Sequence, residues 1–314
     1  MAKISLRAYH REIESMIDSG HLEEAIGHCQ HILKVHPKDL ETYRLMAKAY
    51  LEAHRYTDAA DLFQRVLFSV PDDFVSHLAM SLIRDEEKNL DAAIWHMERA
   101  FEQQPSNAAL QAELKRLYGR RDGMEPLKIR LTRGALAQMY AKGEQYAQAI
   151  AEIRSVLSED PDRTDLQVLL ARVYFKAGQK VEATEICNTL LKKYPYNYEA
   201  NRIMMEILPG TGRADSAQVY RQRVIQLDPY AAFLSESMTS ISDVPDNTVM
   251  IDRFEWDPDA AAGYLSLPET TGQRDAEWMS IPETEQPTAA LPAEEDTIPD
   301  FLKEAGWGPA TGQF

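Results

Sequence analysis

The 314-residue chain contains only two cysteines, Cys29 and Cys187. That number excludes a disulfide framework, and their separation excludes the close-spaced pairs of zinc and redox motifs. There is no unbroken apolar stretch long enough to span a bilayer, and Met1–Glu14 lacks the apolar run of a secretory signal. A reducing, cytoplasmic location is the expectation. The sequence also lacks a glycine-rich phosphate loop, a nucleophile set beside a base, and a close acid pair outside charged helix faces. No catalysis and no cofactor are therefore expected. All eight histidines precede residue 97, and His21, His28, His31 and His36 cluster around Cys29. Cys29 and Cys187 nevertheless share the register of a buried side chain, so the thiols should face the core, and no metal site is expected.

Basic residues are scarce at one end. Residues 232–314 hold 17 acidic and 3 basic side chains, against 33 and 31 in residues 1–231, and the whole chain carries −16. A field of that sign argues against nucleic-acid binding by the molecule as a whole.

A fixed period organises the rest. Pro37, Pro71 and Pro105 are 34 residues apart, as are Pro161, Pro195 and Pro229, with 56 residues between the two triplets. Twelve residues before each proline stands an alanine: Ala25, Ala59, Ala93, Ala149, Ala183 and Ala217. Each unit reads as two amphipathic helices, the second ending near the proline, which has no amide hydrogen and restricts the residue before it. The alanine marks the closest helix approach.

These residues resemble the tetratricopeptide repeat (TPR) family over roughly residues 6 to 231. Tyr43, Ala47, Tyr50, Ala59, Phe63 and Pro71 follow the family's alternation of large and small residues ending in proline. Leu170, Ala171, Tyr174, Gly178, Ala183 and Pro195 repeat much of it, and Leu136, Ala137, Tyr140, Ala149 and Pro161 do so in part. The resemblance implies an all-α, TPR-like helical-hairpin solenoid of six repeats in two triplets. It further implies a scaffold or adaptor that binds peptide segments of partner proteins in a concave groove. Mapped by register, the groove-lining set is Arg44, Lys48, Val75, Leu78, Leu82, Arg172, Phe175 and Arg202. The family's carboxylate clamp for chaperone tails is not implied, because its positions hold His10, Glu14, Val75 and Ala79.

The expected organisation is repeats 1–3 over 1–107, an irregular insert over 108–129, repeats 4–6 over 130–231, a short capping helix over 232–242, and a disordered tail over 243–314. In the insert, Leu110, Leu114, Leu117 and Tyr118 recur at helical spacing until Gly119, Gly123 and Pro126 break it, and the array should bend there. Lys115, Arg116, Arg120, Arg121, Lys128, Arg130 and Arg133 form a basic patch at that bend. It suits an acidic peptide, with RNA or phosphate as the alternative.

The tail places aromatic residues among acids at Trp256 and Trp278, and repeats a short phrase at Leu267-Pro268, Ile281-Pro282 and Ile298-Pro299. Ile298, Phe301, Leu302 and Ala305 then fall on one face of a short helical stretch ahead of Trp307. Such motifs suit recruitment of a second partner, or docking of the tail on the chain's own groove or basic bend.

Overall fold

The computed structural model describes residues 3–211, 214–234 and 240–257, apart from the side chains at 211 and 214. Thirteen α-helices run through them: α1 Leu6–Asp18, α2 Leu22–Val35, α3 Leu40–Glu52, α4 Tyr56–Ser69, α5 Phe74–Glu86, α6 Leu90–Gln103, α7 Ala108–Asp122, α8 Arg133–Lys142, α9 Tyr146–Glu159, α10 Thr164–Lys176, α11 Lys180–Lys193, α12 Tyr198–Ile207 and α13 Ala214–Leu227. Six hairpins result: α1/α2, α3/α4, α5/α6, α8/α9, α10/α11 and α12/α13. Helix α7 stands alone after the third.

The turn between hairpins is built by one repeated device. After the proline the chain reaches a short polar residue whose side chain caps the next helix: Asp39 accepts from Thr42 N–H, Asp73 from Ser76 N–H, Asn107 from Leu110 N–H and Asn197 from Ala200 N–H. Each bond satisfies an amide that the helix cannot pair itself. Six residues beyond the proline, a side chain donates to the proline carbonyl, from Tyr43, His77, Gln111, Gln167 and Asn201. Within the hairpins, Gly20 and Gly178 take left-handed φ values of 80° and 77°, the conformation a glycine adopts without a Cβ penalty.

The six register alanines are buried, as are Cys29 and Cys187, the latter two being free thiols. Burial holds both thiols protonated, with pKa values pushed well above the ordinary range. Helix α7 begins like the first helix of a fourth hairpin and buries Leu110, Leu114 and Leu117 on the third, but no second helix follows it. Gly119 does not break it. The helix runs on to Asp122 and ends at Gly123, with Glu125 folded back onto Gly119 where a Cβ would lie 2.5 Å away. The next hairpin starts at Arg133.

Beyond α7 the chain doubles back, so the two triplets lie side by side in opposite directions with their proline turns facing. Lys38 donates to Tyr196 Oη at 3.0 Å, Phe68 stacks on Tyr194 at 5.9 Å, Arg172 pairs with Asp72 at 3.0 Å, and Lys142 donates to the Gln103 carbonyl at 2.8 Å. Leu40 and Leu227 share a small buried cluster between the second and last hairpins. Each triplet has its own core, one built around Tyr50, Phe63 and Phe101, the other around Leu169, Tyr174 and Ile203.

Of the segment expected as a capping helix over 232–242, residues 235–239 lie outside the described residues. On either side stand a 3₁₀ turn at Pro229–Phe233, which Pro229 opens and Asp228 caps at Tyr230 N–H, and another at Ile241–Asp243. The tail expected from 243 needs correction, because it is not uniformly without structure. Residues 240–257 return to the first hairpin, where β2 (Met250–Asp252) pairs antiparallel with β1 (Lys3–Ser5), and Val244, Val249 and Ile251 complete the first core. Those three aliphatic residues bury enough surface to order a stretch whose average composition is polar. Residues 258–314, including Leu267, Pro268, Trp278, Ile281, Pro282, Ile298, Phe301, Leu302 and Trp307, lie outside the described residues.

Candidate interaction site

The expected groove residues are largely engaged within the molecule. Arg44 donates to Asp73 at 2.7 and 2.9 Å and to Glu41 at 3.0 Å, and Lys48 donates to Asp18 at 3.0 Å. Burial alone would raise the Asp73 carboxyl pKa, but Arg44 and Ser76 outweigh it and hold the group below the ordinary carboxylate range. Arg172 bridges Asp72 of the opposite triplet and Glu199, and Arg202 pairs with Glu199 and Glu206. Leu78 is fully buried, while Val75, Leu82 and Phe175 are partly buried against the two cores. The basic half of the groove is thus neutralised by neighbouring helices, a consequence of acids at Asp73, Asp18 and Glu199 on adjoining turns.

The same holds for part of the basic patch. Arg116 pairs with Asp85 and Glu113, Arg120 with Asp85, and Arg121 with Asp122. Arg133 donates to Ser155. Lys115, Lys128 and Arg130 have no ion pair among the described residues.

Lys128 and Arg130 rim a cleft of about 520 Å³ between α6, α7 and the segment 124–132. Phe101, Leu114, Tyr118 and Ile129 give it an apolar floor. Met124 and Leu131 also line it, 79 % and 49 % exposed, and Leu127 of the same segment is 99 % exposed. The location explains the shape: α7 lacks the second helix that would cover this side of it, and an irregular segment fills only part of the place. Glu98, Arg121, Asp122 and Glu125 line it as well, so acids and bases are equal in number; Asp122 pairs with Arg121 and Glu98 accepts from the Tyr118 hydroxyl, while Lys128 and Arg130 have no ion pair among the described residues.

The triplet junction is the most buried charge assembly. The Arg163 guanidinium donates to Glu102 at 2.5 Å and to Asp165 at 2.7 and 2.9 Å, with Arg163 only 6 % exposed. Glu102 also accepts from Thr132 Oγ1 at 2.7 Å and lies against Gly134, in the first turn of α8, where the helix dipole favours its charge. A Cβ at Gly134 would lie 2.3 Å from that carboxylate. Arg163 occupies the register that is Asp39, Asp73, Asn107 and Asn197 in other turns, and no side-chain cap forms there. Its departure from the repeated Pro-x-Asp/Asn pattern is the sequence signal for this junction.

The returning segment is fastened to the first hairpin by polar and aromatic contacts. Arg7 donates to the Val244 and Ile241 carbonyls at 2.6 Å each and lies 3.9 Å over the Tyr230 ring. Arg7 and Arg11 pair with Asp246 at 3.2 and 2.7 Å, and Arg253 pairs with Glu12. The Phe254 amide donates to Tyr9 Oη at 3.1 Å, and Phe254 stacks on His31 and meets His28 edge-on. Trp256, expected as a free recruitment motif, instead sits on α2. A Cβ at Gly27 would lie 2.5 Å from its ring, so glycine makes this seat. This part of the chain docks neither in the groove nor at the basic bend.

Several histidines are kept neutral by the fold. Burial lowers the pKa values of His28, His77 and His96, the last to about 2. The Tyr9 hydroxyl, pushed up to about 12 by burial, remains protonated and donates to His28 Nδ1 at 2.6 Å. His77 donates through Nε2 to the Pro71 carbonyl, and its Nδ1 accepts from His96 at 3.0 Å. A histidine with a lowered folded-state pKa binds protons more readily when unfolded, so stability falls as pH drops below about 6.5. Asp73, Asp165 and Glu199, held low by arginine partners, lose their contribution below about pH 4. Acidification from pH 7 to pH 5 is expected to reduce unfolding free energy, with about 2 kcal/mol from His96 alone, as read by urea denaturation at each pH. An unchanged midpoint would contradict this placement of the histidines.

Among the described residues, no group of three or more His, Cys, Asp or Glu is placed to hold a metal ion, and no helix is long and apolar enough to cross a membrane.

The tetratricopeptide repeat family model matches residues 16–83 and 140–200. Together with the six hairpins and their shared turns, the match supports a tetratricopeptide repeat protein. Solved structures resemble it at low identity. MamA of AMB-1 is 18 % identical, with coverage of 59 % of this chain and 96 % of that one and a TM-score of 0.29. PilF of Pseudomonas aeruginosa is 15 % identical, at 71 % and 91 % coverage and 0.30. A tetratricopeptide repeat protein from Parabacteroides merdae is 13 % identical, at 82 % and 81 % coverage and 0.30. No curated protein matches the sequence. The fold is typically a non-enzymatic scaffold for protein–protein interaction, and that general role is what its class assigns to this chain.

Proposed function

We propose that this scaffold binds an acidic, apolar-faced peptide segment of a partner protein in the cleft between α6, α7 and residues 124–132. One contrast carries the reading: among the described residues Lys128 and Arg130 have no ion pair, the nearby Glu98 and Asp122 being engaged by Tyr118 and Arg121, whereas Arg44, Lys48, Arg172 and Arg202 in the groove are already paired. A ligand carboxylate at the cleft gains a cation without separating an existing pair, and the ligand's apolar face covers Met124 and Leu131. In the groove the same carboxylate would have to displace Asp73, Asp18 or Glu199. The concave face of the first triplet then serves as framework for the cleft. Phosphate or RNA binding is less suited to the bend, because Arg116, Arg120 and Arg121 are already neutralised there.

The test uses a labelled synthetic amphipathic peptide with leucine and phenylalanine on one helical face and glutamate on the other. Fluorescence anisotropy is expected to show binding that weakens about tenfold or more in Lys128→Glu/Arg130→Glu, a difference of about 1.4 kcal/mol. The exposed Lys180→Glu control is expected to bind as the parent does. Equal affinity of the charge-reversed and parent chains would refute the cleft.

A further inference from the structure

We infer that residues 250–256 are a pH-sensitive latch on the first hairpin, closed while His28 is neutral and released when His28 takes a proton. The latch is separate from the cleft and is built from the contacts of the returning segment with α1 and α2. Three of these meet at one point. The Phe254 amide donates to Tyr9 Oη at 3.1 Å, Tyr9 Oη donates to His28 Nδ1 at 2.6 Å, and the Phe254 ring lies edge-on to the His28 ring at 5.5 Å. The segment is thus held by a two-bond relay that ends on a titratable nitrogen.

The relay has a direction. Tyr9 Oη has one hydrogen, and giving it to His28 leaves the oxygen lone pairs for the Phe254 amide. Only an imidazole with an unprotonated Nδ1 completes this arrangement. Once Nδ1 carries a proton it becomes a donor, so Tyr9 Oη faces two donors and its own hydrogen loses its acceptor. Tyr9 and His28 are 0 % and 2 % exposed, so water does not repair the mismatch while the segment is seated. Opening repairs it, because the Phe254 amide turns to water and the imidazolium is hydrated.

The groups facing His28 set the sign. Burial disfavours its charged form most strongly; Glu24 on its own helix, 3.8 Å from Nε2, and Glu12 on α1 favour that form, and Arg253 on the returning segment opposes it. Burial prevails, and the closed latch holds His28 below the ordinary histidine range. Opening removes both the cover and Arg253, so the open form binds the proton more readily and acidification shifts the balance toward it. His31 does not share this role: its Nε2 donates to the Asp252 carbonyl at 2.8 Å, a bond that a protonated ring also makes. Asp246 is not the trigger either, since Arg11 and Arg7 hold its carboxyl below the ordinary carboxylate range. Release frees the edge of β1 that β2 now pairs and the seat that Gly27 leaves for Trp256.

The test is hydrogen exchange on the full chain, expressed as protection factors so that the intrinsic pH dependence of exchange is removed. Protection over 250–256 in the parent is expected to fall about tenfold between pH 7.5 and pH 5. His28→Asn keeps an acceptor near the place of Nδ1 and takes no proton, so its protection over 250–256 is expected to stay constant across that range. The loss of stability from His77 and His96 in the third hairpin persists in this variant and is read separately from α6 amides. His31→Gln is expected to lower protection at both pH values and to keep the fall. Tyr9→Phe breaks the relay with both histidines in place and is expected to show low protection already at pH 7.5, with little further change. Unchanged protection over 250–256 in the parent overturns the latch. A parent-sized fall in His28→Asn or in Tyr9→Phe overturns the assignment to this relay, and Tyr9→Phe decides alone if α4 amides show that His28→Asn has lost its fold.

Discussion

Replacing Arg163 by methionine is expected to destabilise the protein by about 3–5 kcal/mol, because it leaves the Glu102 and Asp165 carboxylates buried without their cation. Arg163 and Glu102 are only 6 % and 5 % exposed at their side chains, so water does not take over the lost interaction. The loss has a second signature. Each triplet has a separate core, and this assembly joins them beside Gly134. Chemical denaturation should therefore change from one transition to two, as the triplets unfold independently. Adding Glu102→Met to Arg163→Met is expected to recover part of the loss, since one of the stranded charges is removed. A single transition with unchanged midpoint in Arg163→Met would show that the junction does not couple the triplets.

Replacing Arg7 by alanine should release the returning segment without unfolding the array. Arg7 satisfies two carbonyls, at Ile241 and Val244, pairs with Asp246, and packs on Tyr230. Loss of these contacts is expected to cost about 2–3 kcal/mol locally, which corresponds to hydrogen exchange about 30- to 150-fold faster over residues 240–257. Amides of α4 and α6 should keep their protection. Gly27→Ala offers a complementary probe, because alanine favours the helix by up to about 1 kcal/mol while its Cβ intrudes on Trp256. A red shift of Trp256 emission without loss of helix stability would identify the seat. Unchanged exchange over 240–257 in Arg7→Ala would mean that the segment is held by other contacts.

The repeat architecture was legible because its signals are local and periodic. Six prolines and six alanines at a fixed spacing report helix ends and close approaches, and these are decided within a few residues of chain. The family resemblance added the hairpin stack. The doubling back was not legible, since it depends on contacts such as Arg172 with Asp72, separated by 100 residues. One clue existed at Arg163, the turn that departs from the Asp/Asn cap, but its partner Glu102 looks like any helix-face acid.

The engagement of the expected groove and patch residues was not legible for a related reason. Charge counting along the chain treats Arg44 or Arg116 as available, whereas the fold sets Asp73 and Asp85 beside them from neighbouring helices. Net local charge is a property of surfaces, and adjacent helices contribute to it equally. The returning segment was misread because its mean composition is acidic and polar. Val244, Val249 and Ile251 are few, but they close a core that is already assembled. Gly27 carried no visible signal, since a helical glycine has meaning only once the ring against it is known.

These features connect. Because the triplets fold against one another, arginines on their facing surfaces are engaged, and the proposed peptide site lies where the repeat pattern fails after α7. The doubled-back arrangement is therefore the central claim, and chemical cross-linking tests it most directly. Cysteines introduced as Phe68→Cys and Tyr194→Cys, at positions whose rings stack in the parent, can be joined by a short bis-maleimide, since Cys29 and Cys187 are buried and shielded from the reagent. The account predicts efficient cross-linking within a single chain, lost when either cysteine is omitted. An extended array, with no intramolecular product at this pair, would contradict it.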